Sequence, residues 1–411
     1  MSLGISFSFI LPFLWSLFPL ARSLNYEIPL AVLMCLIVIC NTSNLVSSLL
    51  RQFRNPLRLG LISSLLFLTV IPGQSNFEFY TLLNMLSAYV AVMFLFFTPP
   101  DKRISVFIGS VIVCSLFISV LAIYQFFLDP LLFGAYLFSS SSQYEWSQGA
   151  PETYQSFFRA SSLFLTPQIL SSNLSILFPV LLGFISLKIV NRHVCYVVLI
   201  ILTFAGFLTA SKIFIFSSLV SFICILSIPL MHFIAQRRTF LLIFPGKAFI
   251  SWLFVGSFAF AALVLLNTYE FDISRMSVSR LFSFSQILAE EHSGRFSIWG
   301  SILDHSSLFV GGNLDYHQSP ESSIFFLFGS YGLIGLSLFL IGLFTMILVN
   351  CVSLEPPIRT IYVAYSLVYF FILLFTPSQL SYSLVLPLYF VSNPSLLRQL
   401  AGLASKRFKI L

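Results

Sequence analysis

Charged side chains are scarce in this chain of 411 residues, where Asp, Glu, Lys and Arg together make up 9%. A soluble domain carries roughly 25% of these residues. Hydrophobic residues reach 58%, and long apolar runs follow one another along the whole chain. This composition excludes a soluble globular protein, a disordered tail and a nucleic-acid-binding protein. It predicts an all-α, polytopic integral membrane protein, because a helix satisfies its own backbone hydrogen bonds within lipid.

Several local signals are missing as well. No Lys or Arg precedes the first apolar run, Gly4 to Ala21, so we interpret it as a retained transmembrane helix and not as a cleaved signal peptide. The six cysteines lie in or beside apolar runs without a Cys-x-x-Cys pattern, which indicates buried small side chains. The sequence contains neither Asp-x-Asp nor His-x-x-His. We therefore expect no metal and no other cofactor.

The apolar runs predict one transmembrane domain over residues 1–411 with about twelve helices, since a span needs ~20 apolar residues. The run at 59–73 is the shortest of these candidates. The predicted spans are 4–21, 28–48, 59–73, 80–99, 104–128, 167–190, 194–210, 213–235, 248–267, 323–350, 359–377 and 381–396.

Lys and Arg residues set the predicted orientation. With the N-terminus in the cytoplasm, 15 of the 21 Lys and Arg residues fall in cytoplasmic segments, against 2 of the 14 acidic residues. Because cytoplasmic segments of membrane proteins carry an excess of Lys and Arg, we predict that both termini are cytoplasmic.

This topology predicts two long loops on the outer side, 129–166 and 268–322, and long loops are usually functional. Four outer cations belong to these loops, and two more lie beside spans. Cations on the disfavoured side either bind an anion or pair with acidic residues of the same loops. The outer cations are Arg22, Arg159, Lys212, Arg275, Arg280 and Arg295.

Four segments of the chain form an ordered set of motifs between residues 155 and 350. Together they resemble the O-antigen ligase and O-antigen polymerase superfamily of bacterial membrane glycosyltransferases. The segments are Arg159 to Pro167 (Arg-Ala-Ser-Ser-Leu-Phe-Leu-Thr-Pro), Leu208 to Lys212 (Leu-Thr-Ala-Ser-Lys), Ser293 to Trp299 (Ser-Gly-Arg-Phe-Ser-Ile-Trp), and His317 to Ser323 followed by Gly332 to Gly335 (Gly-Leu-Ile-Gly).

The resemblance implies a metal-independent glycosyl transfer at the periplasmic face of the bacterial inner membrane. The donor and the acceptor are glycans on undecaprenyl diphosphate within the lipid, and the lipid diphosphate is the leaving group. The energy is stored in the glycosyl phosphate bond, so no nucleotide is required. By the same analogy, a flippase and a chain-length regulator are expected partners.

The resemblance assigns binding of the substrate diphosphate to Arg159 and Arg295, with Lys212 in support. Arginine suits this task because its planar fork pairs with two phosphate oxygens and stays charged. A cation aimed at the leaving group also makes Arg295 a catalytic candidate. A structural alternative for Arg295 is a cation–π contact with Trp299, its i+4 neighbour on a helix.

Glu321 and His317 are the two candidates for the catalytic base. Counted back from Gly332, the histidine of the ligase branch falls at Glu321, and His317 lies one helical turn earlier. We expect a helix that begins at Pro320, with Glu321 in its first turn and His317 in the preceding loop. A first-turn glutamate is also a common structural choice at the positive end of a helix.

Three functions remain open at this point. The first is a polymerase that joins lipid-linked repeat units into O-antigen, capsule or exopolysaccharide. The displaced histidine favours it, and so does the stretch between Arg295 and Glu321, which is short for a ligase. The second is a ligase that transfers a finished glycan to lipid A-core. The third is a transporter or flippase for lipid-linked sugars. Transporters commonly have two similar halves and interrupted helices with charges in the membrane. This sequence shows no such halves, and its ionisable residues on the outer side collect in the loops.

Overall fold

The computed structural model describes residues 104–128, 160–164, 167–187, 189–209, 211, 213–224, 322–354, 356–375 and 385–392, with isolated positions elsewhere. The predicted spans 59–73, 80–99 and 248–267 lie outside the described residues. Most of the two predicted outer loops lies outside them too.

The described part of the chain is helical and contains no strand. Three stretches, Val106–Phe127, Pro167–Ser186 and Gly332–Val352, are long and apolar enough to cross a membrane. These findings confirm the all-helical, apolar character predicted from composition, whereas the number of spans and their orientation stay predictions. The helices are α1 (Ile104–Phe127), α2 (Pro167–Ser186), α3 (Arg192–Leu208), α4 (Ile213–Cys224), α5 (Ser323–Val352), α6 (Pro356–Phe375) and α7 (Val385–Ser392).

The chain divides into two compact units. Unit 1 comprises Met1–Ser110, Glu290–Leu354 and Tyr369–Leu397. Unit 2 comprises Val111–Ala289, Glu355–Val368 and Arg398–Leu411. The prediction of a single transmembrane domain stays a prediction.

Within unit 2, α1 has a reversed distribution of polarity. One stripe of large apolar side chains is exposed, while the opposite face buries Ser115, Ser119 and Gln125 together with apolar residues such as Ile118. In water such a stripe would be an interaction surface or a liability. In lipid it is the expected arrangement, because small and polar residues mediate helix packing and apolar residues face the acyl chains. The exposed stripe consists of Val113, Phe117, Val120, Tyr124 and Phe127.

Helix α2 is the most buried helix of unit 2. It begins at Pro167, whose fixed φ suits the first helical position. Every residue from Ile169 to Ile185 is buried. A Cβ atom placed on Gly183 would lie 3.2 Å from Cγ2 of Ile361 in α6, so glycine permits a close approach between these two helices.

Unit 1 contains a cluster of three aromatic rings. Phe9 packs edge-to-face against Phe107 at 5.8 Å between ring centroids and against Phe390 at 6.3 Å. Phe107 and Phe390 are also 6.3 Å apart. Edge-to-face pairs stabilise packing beyond the area that they bury.

Helix α5 begins at Ser323, and Ser322 before it is extended, with φ −149° and ψ 126°. The predicted start at Pro320 is therefore wrong. Serine favours the non-helical position before a first turn, and this preference competes with the tendency of proline to begin a helix. Serine at this position usually accepts a hydrogen bond from a backbone N–H of the first turn, but the hydroxyl of Ser322 makes no such capping bond.

Candidate functional site

All five predicted site residues lie outside the described residues. The structure instead describes the segments that adjoin three of them in sequence. Residues 160–164 directly follow Arg159. Ser211 directly precedes Lys212, and Ser322 directly follows Glu321. The predicted site residues are Arg159, Lys212, Arg295, His317 and Glu321.

Residues 160–164 form a tight turn before α2. The N–H of Phe164 donates to the carbonyl oxygen of Ser161 at 3.0 Å, which closes the turn. Ser162 has a φ of 54°, an uncommon value for a residue other than glycine. Such a conformation costs on the order of 1–3 kcal/mol and persists only where its surroundings enforce it.

Gln125 near the end of α1 supplies part of that enforcement. Its Oε1 accepts the N–H of Ser161 at 2.9 Å and the N–H of Ser162 at 2.7 Å. Its Nε2 lies 3.3 Å from Oγ of Ser161. The Gln125 side chain is 1% exposed, so these contacts are shielded from water. Without this acceptor, two buried N–H groups would lose their partner at about 1–3 kcal/mol each.

A second contact with α1 involves the Ser162 side chain. Its hydroxyl donates to the carbonyl oxygen of Ile118 at 3.0 Å. Ile118 lies about two helical turns before Gln125, so the turn bonds to α1 at two separate levels.

The same turn is also bonded to the end of α3. The N–H of Ala160 donates to the carbonyl oxygen of Leu208, the last residue of α3, at 3.1 Å. This N–H belongs to the peptide group that joins Arg159 to Ala160. The hydrogen bond therefore connects two motif segments, the one that starts with Arg159 and the one that ends with Lys212.

Thr209 ends α3 with two hydrogen bonds. Its N–H is directed to the carbonyl oxygen of Gly206 at 3.2 Å, and its hydroxyl donates to the same oxygen at 2.6 Å. Thr209 is fully buried. Because these bonds fix the last turn, the carbonyl of Leu208 has a defined direction toward Ala160.

The start of α4 packs on this end of α3. The ring of Phe214 lies edge-on to Phe178 at 6.1 Å and to Phe207 at 6.2 Å between centroids. Gly206 lies directly against the Phe214 ring. The turn between α3 and α4, which contains Lys212, is thus bounded on both sides by packed residues.

Helix α5 is interrupted at Gly332, the first glycine of the Gly-Leu-Ile-Gly motif. Gly332 has φ 63° and ψ −167°, a conformation that only glycine adopts readily. From the sequence, this glycine is predicted only as a motif residue within an uninterrupted helix. The buried hydroxyl of Ser322 forms no hydrogen bond with the other described residues.

Charge is confined to helix starts in the described part of the chain. The only Lys, Arg, Asp or Glu residues in α1–α7 are Arg192 and Arg359, each in the first turn of its helix. Buried hydroxyls occur instead. Those of Ser115, Ser171 and Ser217, on three different helices, form no hydrogen bond with other described residues.

Sequence analysis missed Gln125 as a member of this region. A signal was present, since it is the only amide or charged side chain in the 24 residues of α1. A polar side chain inside a membrane helix is costly and usually has a specific partner. The side chains described around this turn, Gln125, Ser161, Ser162 and Thr209, hold backbone segments in place and are neither bases nor cations.

Comparisons with known proteins give no match: no family model, no curated protein and no solved structure is significantly similar to this chain. The resemblance set out above therefore rests on the motif residues.

Proposed function

We propose that the protein is a polymerase that joins undecaprenyl-diphosphate-linked oligosaccharide repeat units into O-antigen, capsule or exopolysaccharide. The reaction takes place at the periplasmic face of the bacterial inner membrane. The enzyme needs no metal or cofactor, and it works beside a flippase and a chain-length regulator.

One observation supports this proposal most directly, the hydrogen bond from Ala160 N–H to Leu208 O at 3.1 Å. It joins two of the four motif segments that carry the resemblance, although they are far apart in sequence. In the sequence, Arg159 directly precedes Ala160, and Lys212 lies four residues after Leu208. A diphosphate carries more than one negative charge, and more than one cation suits its binding.

In the proposed reaction, Arg159, Arg295 and Lys212 bind the diphosphate of the donor. Glu321 or His317 accepts the proton of a sugar hydroxyl on the acceptor. The hydroxyl oxygen then bonds to the anomeric carbon, and the bond from that carbon to the phosphate oxygen breaks. The electron pair leaves with the lipid diphosphate, whose charge the cations stabilise.

The interruption of α5 at Gly332 favours a second candidate, a transporter or flippase for lipid-linked sugars. Discontinuous helices are typical of transporter binding sites. Transporters also tend to place ionisable residues within the membrane. The described helices carry charge only at Arg192 and Arg359 in first turns, so this candidate ranks second. The ligase remains the alternative within the same superfamily.

The experiment is a measurement of surface glycan length in a strain that lacks the protein. The strain is rescued with wild type, Arg295→Ala, Arg159→Ala or Glu321→Ala, and membrane levels of each variant are matched. We expect wild type to restore a ladder of lengths and the variants to leave single repeats. Loss of one preorganised charge contact lowers the rate on the order of 100-fold to 1,000-fold.

Arg359→Ala is the matched control, because it removes an exposed arginine at the start of α6. It should restore the full ladder. Long polymer that accumulates unattached in the null strain would identify a ligase. Repeat units retained on the cytoplasmic leaflet would identify a transporter. Full rescue by all three site variants would contradict the site assignment.

A further inference from the structure

The Gln125 side chain makes three hydrogen bonds to the turn that follows Arg159. Its amide bonds to two successive residues, Ser161 and Ser162, that lie 36 and 37 positions further along the chain. An amide is costly to bury in a helix whose other residues are apolar or small. A role limited to filling space would be served better by an apolar side chain.

The direction of these hydrogen bonds is unambiguous. A backbone N–H can only donate, so the atom that faces Ser161 N and Ser162 N must be the amide oxygen. The carbonyl oxygen has two lone pairs and accepts both bonds at 2.9 and 2.7 Å. Two acceptor bonds from one rigid amide fix both the position and the orientation of the turn.

The turn connects α1 with the end of α3. Ser162 is held by Gln125 and by the Ile118 carbonyl, both in α1. Ala160 is held by the carbonyl of Leu208 in α3. A shift of the turn along α1 would therefore also break its contact with α3.

We propose that Gln125 is a positioning residue for the diphosphate-binding cations. It holds the turn so that the peptide between Arg159 and Ala160 stays bonded to the segment that leads to Lys212. This inference rests on the proposed function. Gln125 itself does not touch the substrate.

The first test measures the geometry and does not depend on activity. Ala160→Cys and Leu208→Cys are combined in a chain whose six native cysteines are alanine. The hydrogen bond between these two residues places them within roughly the separation that a disulfide requires. The disulfide yield under mild oxidation is measured in three versions of this chain, which have Gln, Leu or Glu at position 125, and the three yields are compared.

We expect a high yield with Gln125 and a low yield with Gln125→Leu. Gln125→Glu should restore the yield, because a carboxylate oxygen accepts the same two N–H bonds. Equal yields for Gln and Leu would overturn the proposal. Gln125→Asn is the milder variant if the leucine variant does not fold. Its amide is one methylene shorter, so it should give an intermediate yield, and a yield equal to wild type would also overturn the proposal.

The second test measures binding of farnesyl diphosphate to the purified protein in nanodiscs, with farnesol as the uncharged control. Gln125→Leu should weaken diphosphate binding roughly tenfold, which corresponds to about 1.4 kcal/mol, because displaced cations lose part of their charge-assisted contact with the phosphates. Gln125→Glu should bind within a factor of about two of wild type, and farnesol binding should not change.

Ser161→Ala is the matched control, because it removes only the 3.3 Å contact with Nε2 and keeps the backbone N–H. It should bind as wild type. If Arg159→Ala weakens binding and Gln125→Leu does not, the positioning role is wrong and the proposed function stands. If wild type does not prefer the diphosphate to farnesol, or Arg159→Ala binds as wild type, the proposed function is wrong, whatever the disulfide yields.

Discussion

Gly206 and Phe214 are in direct contact, and the Phe214 ring occupies the space that a Cβ atom on Gly206 would need. The contact lies between the last turn of α3 and the first turn of α4. Phe214 is fully buried and packs edge-on against Phe178 and Phe207, so a displacement of the ring would disturb both contacts. Glycine is therefore required at position 206 for steric reasons.

Gly206→Ala should lower the stability of the protein by about 1–3 kcal/mol, the usual cost of overpacking a filled interior. The measurement is thermal unfolding of the purified protein in detergent. Gly109→Ala is the control, since a Cβ atom there would meet nothing within 4 Å. Alanine at 109 should be neutral or stabilise α1 by up to about 1 kcal/mol. Equal midpoints for the two variants would contradict the steric argument.

Gly332→Ala should destabilise α5 because it forces a side chain into a conformation near φ 63° and ψ −167°. The expected cost is about 1–3 kcal/mol, unless the helix straightens at this position. Thermal unfolding measures the cost. A spin-label distance between Ile324→Cys, which is half-buried, and Leu338→Cys, which is exposed, measures the straightening across the interruption. A variant that keeps both the wild-type midpoint and the wild-type distance would show that the interruption is not intrinsic to the glycine.

Ser162→Gly should be more stable than Ser162→Ala. Both variants lose the 3.0 Å hydrogen bond to the Ile118 carbonyl and keep the N–H that donates to Gln125. Only alanine retains a Cβ atom at φ 54°, which costs roughly 1–2 kcal/mol in the left-handed region. The glycine variant loses part of this gain in stability, because glycine makes the unfolded chain more flexible than alanine does. The difference between the two variants in chemical or thermal unfolding measures the cost of a Cβ atom at this positive φ. A more stable alanine variant would refute the argument.

Sequence reasoning located the helices better than the contacts between them. The prediction 104–128 differs from α1 by one residue at its end, because an uninterrupted apolar run without charge has only one stable form in lipid. The interruption at Gly332 was not predicted, since glycine in an apolar run fits a continuous helix as well as a broken one. The partnership of Gln125 with Ser161 depends on packing across 36 residues, and local periodicity carries no information about that pairing.

The same limit applies to the candidate site. The motif around Arg159 and the motif around Lys212 were identified separately, from residue types in a familiar order. Their connection through Ala160 and Leu208 emerges only in the folded chain. The assignments of Arg295, His317 and Glu321 stay predictions, because these residues lie outside the described part.

The predicted orientation of the chain is tested by labelling single cysteines in a background without native cysteine. Ser141→Cys in the first predicted outer loop and Ser277→Cys in the second should react with a membrane-impermeant maleimide in spheroplasts. His193 is exposed at the start of α3, and in the sequence it directly follows Arg192 and comes five residues after Lys188. His193→Cys should therefore react only after the membrane is permeabilised. The physical reason is the excess of Lys and Arg on the cytoplasmic side, which sets the direction of insertion. The reverse pattern would place Arg159 and the second loop in the cytoplasm, where a periplasmic polymerase could not use them, and would refute both the topology and the proposed site.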